Sequence, residues 1–440
     1  MPVADFVSHR NALIERLGDD EAVLLFASPH PLRNGDAEHR YRPDSDVWWL
    51  TGWEDAECAV FVRPGPEPVT MFVQKKEVEK EVWTGVRPGP QGAKAHHGAD
   101  AAFTIDELEE HLPRLLQGVS VLHYAFGRDA RHDAMVSKAI GSSMRVSRKS
   151  FLPVPETFQS PSRLLHELRL VKGADELGLL REAARITDLA HRRAMALGRP
   201  GRNEREIEAL IDYTFRSEGG DGPGYGTIVA TGKNGCVLHY TKCREPVADG
   251  DLVLVDAGCE VGFYTADVTR TWPANGQFTG VQRSVYEHVL DAQKAAIDTV
   301  RVGRPFRALH DAAVRRLTEA MVDLGLLKGS VDELIETEKF KKYYMHGTSH
   351  WLGLDVHDAG VYSRGSRSRP LGLGMVLTVE PGLYVSPNDE DAPKALRGLA
   401  VRIEDDVLVT AGDPDVLTAS IPKEIGAVEA ACQRISGSIA

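Results

Sequence analysis

The 440-residue sequence has no CxxC pair, no long apolar run and no excess of basic residues. Its five cysteines, Cys58, Cys236, Cys243, Cys259 and Cys432, are odd in number, which excludes a disulfide framework or zinc ribbon and points to reduced thiols in a cytoplasmic protein. Apolar stretches such as 22–27 are far too short to span a bilayer. The start, Met1-Pro-Val-Ala-Asp5-Phe6, carries an early acid and no apolar core, so it does not read as a signal peptide. Lys and Arg total 52 against 64 Asp and Glu, a net charge of −12. Such a chain repels a phosphate backbone or an anionic membrane, and neither nucleic acid nor membrane is expected as a partner.

What is present is globular: 42% hydrophobic and 26% charged residues exclude disorder and collagen. The length predicts two domains, with a small mixed α/β domain over 1–172 and a larger domain over 173–440. Short β-branched runs at 22–26, 58–62, 69–73 and 119–122 read as buried strands, and Ile105, Leu108, Leu112 and Leu115 recur at helical spacing. Pro153, Pro155 and Pro161 argue for an irregular linker over 151–172. Beyond it, 174–197 reads as a helix stopped by Gly198, Pro200 and Gly201. Asn203 is placed to cap a second helix, with Glu206 at the capping-box position. Further helices are expected at 280–300 and 305–324.

One internal repeat stands out. Gly250-Asp-Leu-Val-Leu-Val-Asp256-Ala-Gly258 aligns with Gly374-Met-Val-Leu-Thr-Val-Glu380-Pro-Gly382: a glycine, an apolar strand, an acid, any residue, a glycine. Two strands that each end in a carboxylate suggest a duplicated half-domain whose acids meet near a pseudo-twofold axis. Asp267, in Tyr264-Thr-Ala-Asp267-Val-Thr-Arg270, and Glu404, in Val401-Arg402-Ile403-Glu404, also lie in strand context. Four acids gathered in one place repel each other, and two divalent cations would neutralise them.

Met345-His346-Gly-Thr-Ser-His350-Trp-Leu-Gly-Leu-Asp355-Val-His357 adds three histidines. Gly347 stands where a helical zinc motif carries its glutamate, so an extended, glycine-punctuated segment is expected. Four carboxylates and an imidazole form a hard, oxygen-rich site that favours Mn²⁺, with Co²⁺, Fe²⁺ or Zn²⁺ as alternatives. Two such ions roughly 3.5–4 Å apart would hold a bridging hydroxide and polarise a carbonyl, and the chemistry implied is hydrolysis.

The segments Val-Asp256-Ala-Gly, Asp267-Val-Thr-Arg-Thr, His346-Gly-Thr-Ser-His350, Thr-Val-Glu380-Pro-Gly and Arg402-Ile-Glu404-Asp, in this order, resemble the pita-bread metallopeptidases, and within them the bacterial aminopeptidase P (Xaa-Pro aminopeptidase) family. Tyr41-Arg42-Pro-Asp-Ser45-Asp46-Val-Trp-Trp-Leu-Thr51-Gly52 is similar to that family's N-terminal domain. The resemblance implies a pita-bread catalytic domain behind the small α/β domain, and hydrolysis of the Xaa-Pro bond in peptides with proline in second position. It implies that Asp256 binds one metal, that Asp267 and Glu404 bridge the pair, and that His350 and Glu380 complete the other. Glu380 would also shuttle a proton, His357 and His346 would flank the scissile carbonyl, and His239, Tyr384 and Arg402 would line or support the substrate site. Asp36 and Trp83 would reach the mouth of a neighbouring subunit's site, Arg367 would contact a peptide carboxylate, and the chain would be a homodimer or homotetramer.

Gly226, Ala230-Thr231 and Asp44 depart from the family's commoner residues, none of them at the five ligand positions. The nearest alternative is a prolidase, which cuts only Xaa-Pro dipeptides with the same metal set. A methionine aminopeptidase usually lacks such an N-terminal domain, a creatinase-like enzyme would not need all five ligands, and a binding-only member would have lost some of them.

Overall fold

The computed structural model describes residues 4–433, and the chain forms two units, one over Ala4–Leu168 and one from Arg169 onward. The first holds a six-stranded mixed sheet with the strands Ala101–Thr104, Val69–Val73, Ala59–Val62, Glu21–Phe26, Val121–His123 and Thr157–Gln159 in that spatial order. Its three central strands are antiparallel and the outer pairings are parallel. Leu24, Phe61 and Phe72 pack with Leu108, Leu112 and Val136 on one face, and Val23, Val60 and Met71 are buried on the other, which is why these strands are apolar on consecutive residues. Asp44, one of the departures noted above, caps the helix Ser45–Thr51: its carboxylate accepts the Asp46 and Val47 amides, a task asparagine or aspartate performs equally.

The 151–172 stretch is more regular than its prolines suggest. It contains the strand Thr157–Gln159 and the helix Ser162–Arg169. Pro161 stands just before that helix and its carbonyl accepts from Leu165, so its missing N–H lies where the helix has no acceptor to offer.

The second unit carries the helices Ala174–Leu197, Glu204–Ser217, Gly280–Asp298 and Arg307–Asp323. Asn203 and Glu206 form the expected capping box. Both repeat copies are strands. Leu252–Asp256 runs antiparallel between Ile228–Thr231 and Thr269–Pro273. Val376–Val379 pairs with Asp405–Leu408 on one side, and on the other Leu377 bridges Trp351. Each copy therefore lies between two antiparallel neighbours and delivers its acid at the same end.

Candidate metal centre

Asp256 is the last residue of its strand, opposite Ile228 and Thr269, and Asp267 lies two residues before Thr269 on the returning chain. A Cβ on Gly258 would stand 1.7 Å from the Ala266 carbonyl oxygen, so only glycine lets the turn after Asp256 pass so close to Asp267. In the second copy, the Val379–Asp405 register sets Glu380 beside Glu404. At Gly382 the close approach is instead to a side chain: a Cβ would lie 2.4 Å from the Tyr384 hydroxyl. The copies are joined where the Glu404 amide donates to the Thr269 carbonyl at 3.1 Å and the Thr269 hydroxyl to Glu404 Oε2 at 2.6 Å. The Asp267 amide donates to Asp406 Oδ2 at 3.2 Å.

Three of these acids, Asp267, Glu380 and Glu404, thus come close to His350. Its Nε2 is 3.3 Å from Asp267 Oδ2 and 3.6 Å from Glu380 Oε1. Its Nδ1 lies 3.0 Å from the Trp351 carbonyl, and a proton donated there leaves Nε2 to offer a lone pair to a cation once its own proton is displaced. Donor atoms of Asp267, His350 and Glu404 all lie within 4.8 Å of one another. Burial pushes Glu380 up to about 7, despite His350 and Arg402 nearby. Burial also raises Asp267 and lifts Glu404 well above the usual carboxylate range, with the neighbouring carboxylates adding repulsion. Burial alone would lower His350, but Asp267 holds its proton and raises it to about 9. This is an acid cluster short of positive charge, and its oxygen-rich donor set with one imidazole fits hard or borderline divalent ions.

A cavity of about 530 Å³ opens over the cluster. Its walls include all four acids, His239, His346, His350, His357 and Arg402, residues drawn from four separate stretches of sequence. Arg402 donates to Asp256 Oδ2 at 2.6 Å and to the Tyr384 hydroxyl at 3.1 Å. Tyr384 is buried behind the wall and reaches the site through that hydroxyl. The segment with the histidines is not helical, as its glycines suggest, but it runs through bends rather than as an extended stretch. His346 has both ring nitrogens engaged, Nδ1 with the Gly347 carbonyl at 2.7 Å and Nε2 with Tyr384 Oη at 2.8 Å. His357 faces His350 edge-on, ring centroids 4.5 Å apart, on a turn braced by charge. There the buried Asp358 accepts from Arg169 at 2.7 Å and Lys172 at 2.8 Å.

Tyr225 escaped the sequence reading. Its hydroxyl lies 2.6 Å from Asp256 Oδ1 and 2.6 Å from Asp267 Oδ1, and burial next to the acids raises it well above the usual tyrosine value. The one available signal was its place between Gly224 and Gly226. Three other expected residues are not part of the cluster. Arg367 is exposed on a short hairpin, Asp36 sits exposed in a turn of the N-terminal unit, and Trp83 is 86% exposed on the helix Val78–Thr84 of that unit.

Comparison with known proteins agrees with this geometry. Residues 178–411 match metallopeptidase family M24, and residues 6–123 match the N-terminal domain of aminopeptidase P. The chain is 41% identical to the Xaa-Pro aminopeptidase of Escherichia coli over 97% of each sequence. It is 32% identical to human Xaa-Pro aminopeptidase 3, over 95% of this chain and 82% of the other. Among solved structures, aminopeptidase PepP of Pseudomonas aeruginosa superposes with a TM-score of 0.94 at 42% identity, covering 97% of both chains. A zinc-substituted Escherichia coli aminopeptidase P bound to product gives 0.93 at 40% identity, again over 97% of both. The fold is the expected one: a mixed α/β unit followed by a pita-bread catalytic unit.

Proposed function

The chain belongs to metallopeptidase family M24, and on that premise we propose that it is a dinuclear-metal Xaa-Pro aminopeptidase, which releases the first residue of peptides with proline in second position. The observation that carries this reading is the gathering of Asp256, Asp267, Glu380, Glu404 and His350 in the wall of one cavity, with Asp267 and Glu380 against the imidazole. These five side chains would hold two divalent ions, Asp256 serving one, His350 and Glu380 the other, and Asp267 and Glu404 shared between them. We assign Mn²⁺ as the ion in the cell, because four carboxylates outnumber the single nitrogen donor. When bound, the ions supply Lewis acidity and lower the pKa of a water.

The chain's own residues do the rest. Asp256 receives the substrate's free amine, which is how the site counts one residue from the N-terminus. Glu380 takes a proton from the attacking water and passes it to the leaving prolyl nitrogen. His357 donates to the oxygen that gains charge at the scissile carbonyl. With both nitrogens occupied, His346 instead forms the pocket wall and steadies Tyr384. Arg402 offsets the negative charge of Asp256, and His239 contacts the peptide beyond the bond. Proline has no N–H to be recognised, and the Leu238 and Val356 walls offer its ring an apolar slot. The hairpin bearing Arg367 begins next to Tyr362 at the cavity rim, and we assign Arg367 to the carboxylate of a bound peptide. We also propose a cytoplasmic homodimer or homotetramer, in which Asp36 and Trp83 serve a neighbouring subunit's site.

The test offers the protein an Xaa-Pro dipeptide and an Xaa-Pro-Yaa tripeptide, with Mn²⁺ and after chelation. Metal-dependent release of the first residue from the tripeptide is expected. Cleavage of the dipeptide alone makes the enzyme a prolidase, and no cleavage with any divalent ion overturns the reading.

A further inference from the structure

The loop that brings His239 to the cavity is gathered around a buried carboxylate. Glu204, the first residue of the helix Glu204–Ser217, is 0% exposed. Five neutral donors reach it. Oε1 accepts the Thr231 amide at 2.8 Å, the Thr231 hydroxyl at 3.0 Å and Asn234 Nδ2 at 3.0 Å. Oε2 accepts the Tyr240 hydroxyl and the Glu245 amide, each at 2.9 Å. Burying a polar group to this degree is costly unless hydrogen bonds replace its lost water, and these five do so.

Those donors come from both ends of the 231–245 loop and from its middle. Leu238, His239 and Thr241 of the same loop line the catalytic cavity. Residues 237–244 form neither helix nor strand, so no backbone ladder fixes them. Tyr240, the neighbour of His239, packs against Ile228, Ala230 and Leu254 while its hydroxyl bonds to Glu204 and takes a further bond from Asn234 at 3.1 Å.

We infer that Glu204 is a positioning residue for the reaction: its carboxylate sets the loop so that His239 meets the peptide. This rests on the contact between His239 and substrate proposed above. An amide cannot replace the acid. Glu204→Gln keeps the shape but turns one acceptor oxygen into an NH₂ group facing at least two donors.

The test uses the full-length, metal-loaded protein and measures kcat/KM on an Xaa-Pro-Yaa tripeptide for Glu204→Gln, His239→Ala and the double variant. Glu204→Gln is expected to lower kcat/KM roughly 10- to 100-fold, the scale of a displaced positioning group. In the His239→Ala background the same substitution should change it by less than about twofold, because its target is gone. Unchanged kcat/KM in Glu204→Gln overturns the inference, and so does an equal loss in both backgrounds, which marks a general structural effect. If His239→Ala alone is fully active, the role of His239 is wrong and the inference falls with it, while the peptidase reading stands. Should Glu204→Gln not fold, Tyr240→Phe removes one donor and leaves the ring packing, and a smaller loss that vanishes in the His239→Ala background is expected.

Discussion

Glu404, Asp405 and Asp406 are consecutive, acidic and almost wholly buried, yet the first two live in opposite surroundings. Asp405 faces cations. Arg270 donates to its Oδ1 at 2.6 Å, Lys423 to its Oδ2 at 2.5 Å, and Gln293 and Thr418 complete the shell. Burial alone would raise its pKa, but Arg270 and Lys423 bring it down to about 2. Glu404 faces acids: burial raises it well above the usual range, and Asp267, Glu380 and Asp256 push the same way. Burial therefore does not mark a working acid. The sign of the charge packed against it does. Asp405 is already paired and serves the fold, whereas Glu404, with Arg402 alone acting the other way, is left short of the positive charge that a bound metal would supply.

The largest effects should separate these neighbours cleanly. Glu404→Gln and Asp267→Ala are expected to abolish metal-dependent turnover, while the metal-free variants fold as stably as the parent or more so, because a repelling carboxylate is gone. Asp405→Asn should do the reverse. It strands the buried Arg270 and lowers stability by about 3–5 kcal/mol while leaving the five ligands in place. Metal titration and denaturant unfolding of the three variants check this, and Glu404→Gln unfolding as easily as Asp405→Asn would break the comparison.

A smaller effect appears in pH dependence. Asp405 has a folded pKa below its unfolded value, so its stabilisation is full above about pH 4 and is lost as pH falls towards about 2. Glu380 without metal runs the other way. Its folded pKa of about 7 exceeds the unfolded value near about 4.3, so the metal-free protein loses stability as pH rises through that interval. His350 extends the loss. Its folded value of about 9 makes its contribution full below about 6.5 and lost as pH rises to 9. Metal-free protein should therefore melt at lower temperature at pH 8 than at pH 5, and metal should remove most of the difference. A melting temperature of the metal-free protein that rises over this range would contradict the charge-deficit account of the cluster.

These contrasts mark what the sequence could and could not say. The 252–256 and 376–379 strands were legible because apolar β-branched runs bounded by glycine leave few alternatives, and their acids were legible because the pattern occurs twice. Gly258 and Gly382 turned out to be close-approach positions, a reason the repeat alone could suggest but not specify. Asp405 was read only as part of the strand bearing Glu404, since its partners Arg270 and Gln293 lie 135 and 112 positions away. Tyr225 likewise bonds acids 31 and 42 positions on. Glu204 looked like any first residue after an N-cap. Polar networks assembled by topology leave no periodic trace, whereas ladders and caps do. The 151–172 stretch was misread for the opposite reason: proline is a strong local signal, but one tolerated at the start of a helix.

The smallest effect probes whether the acid-facing side of the site works through charge alone. Tyr384 adds none. Its hydroxyl only links Arg402, at 3.1 Å, to His346 Nε2, at 2.8 Å. In Tyr384→Phe both partners keep another tie, Arg402 to Asp256 and His346 to Gly347, so neither is left bare. The loss should be that of one hydrogen bond, about 1 kcal/mol, or roughly fivefold in kcat/KM. Metal affinity should stay unchanged, since neither linked residue is a ligand. A fall in metal affinity comparable with that of Glu404→Gln would show instead that the hydroxyl orients Arg402 against Asp256, and that hydrogen-bond geometry as well as charge sets this side of the comparison.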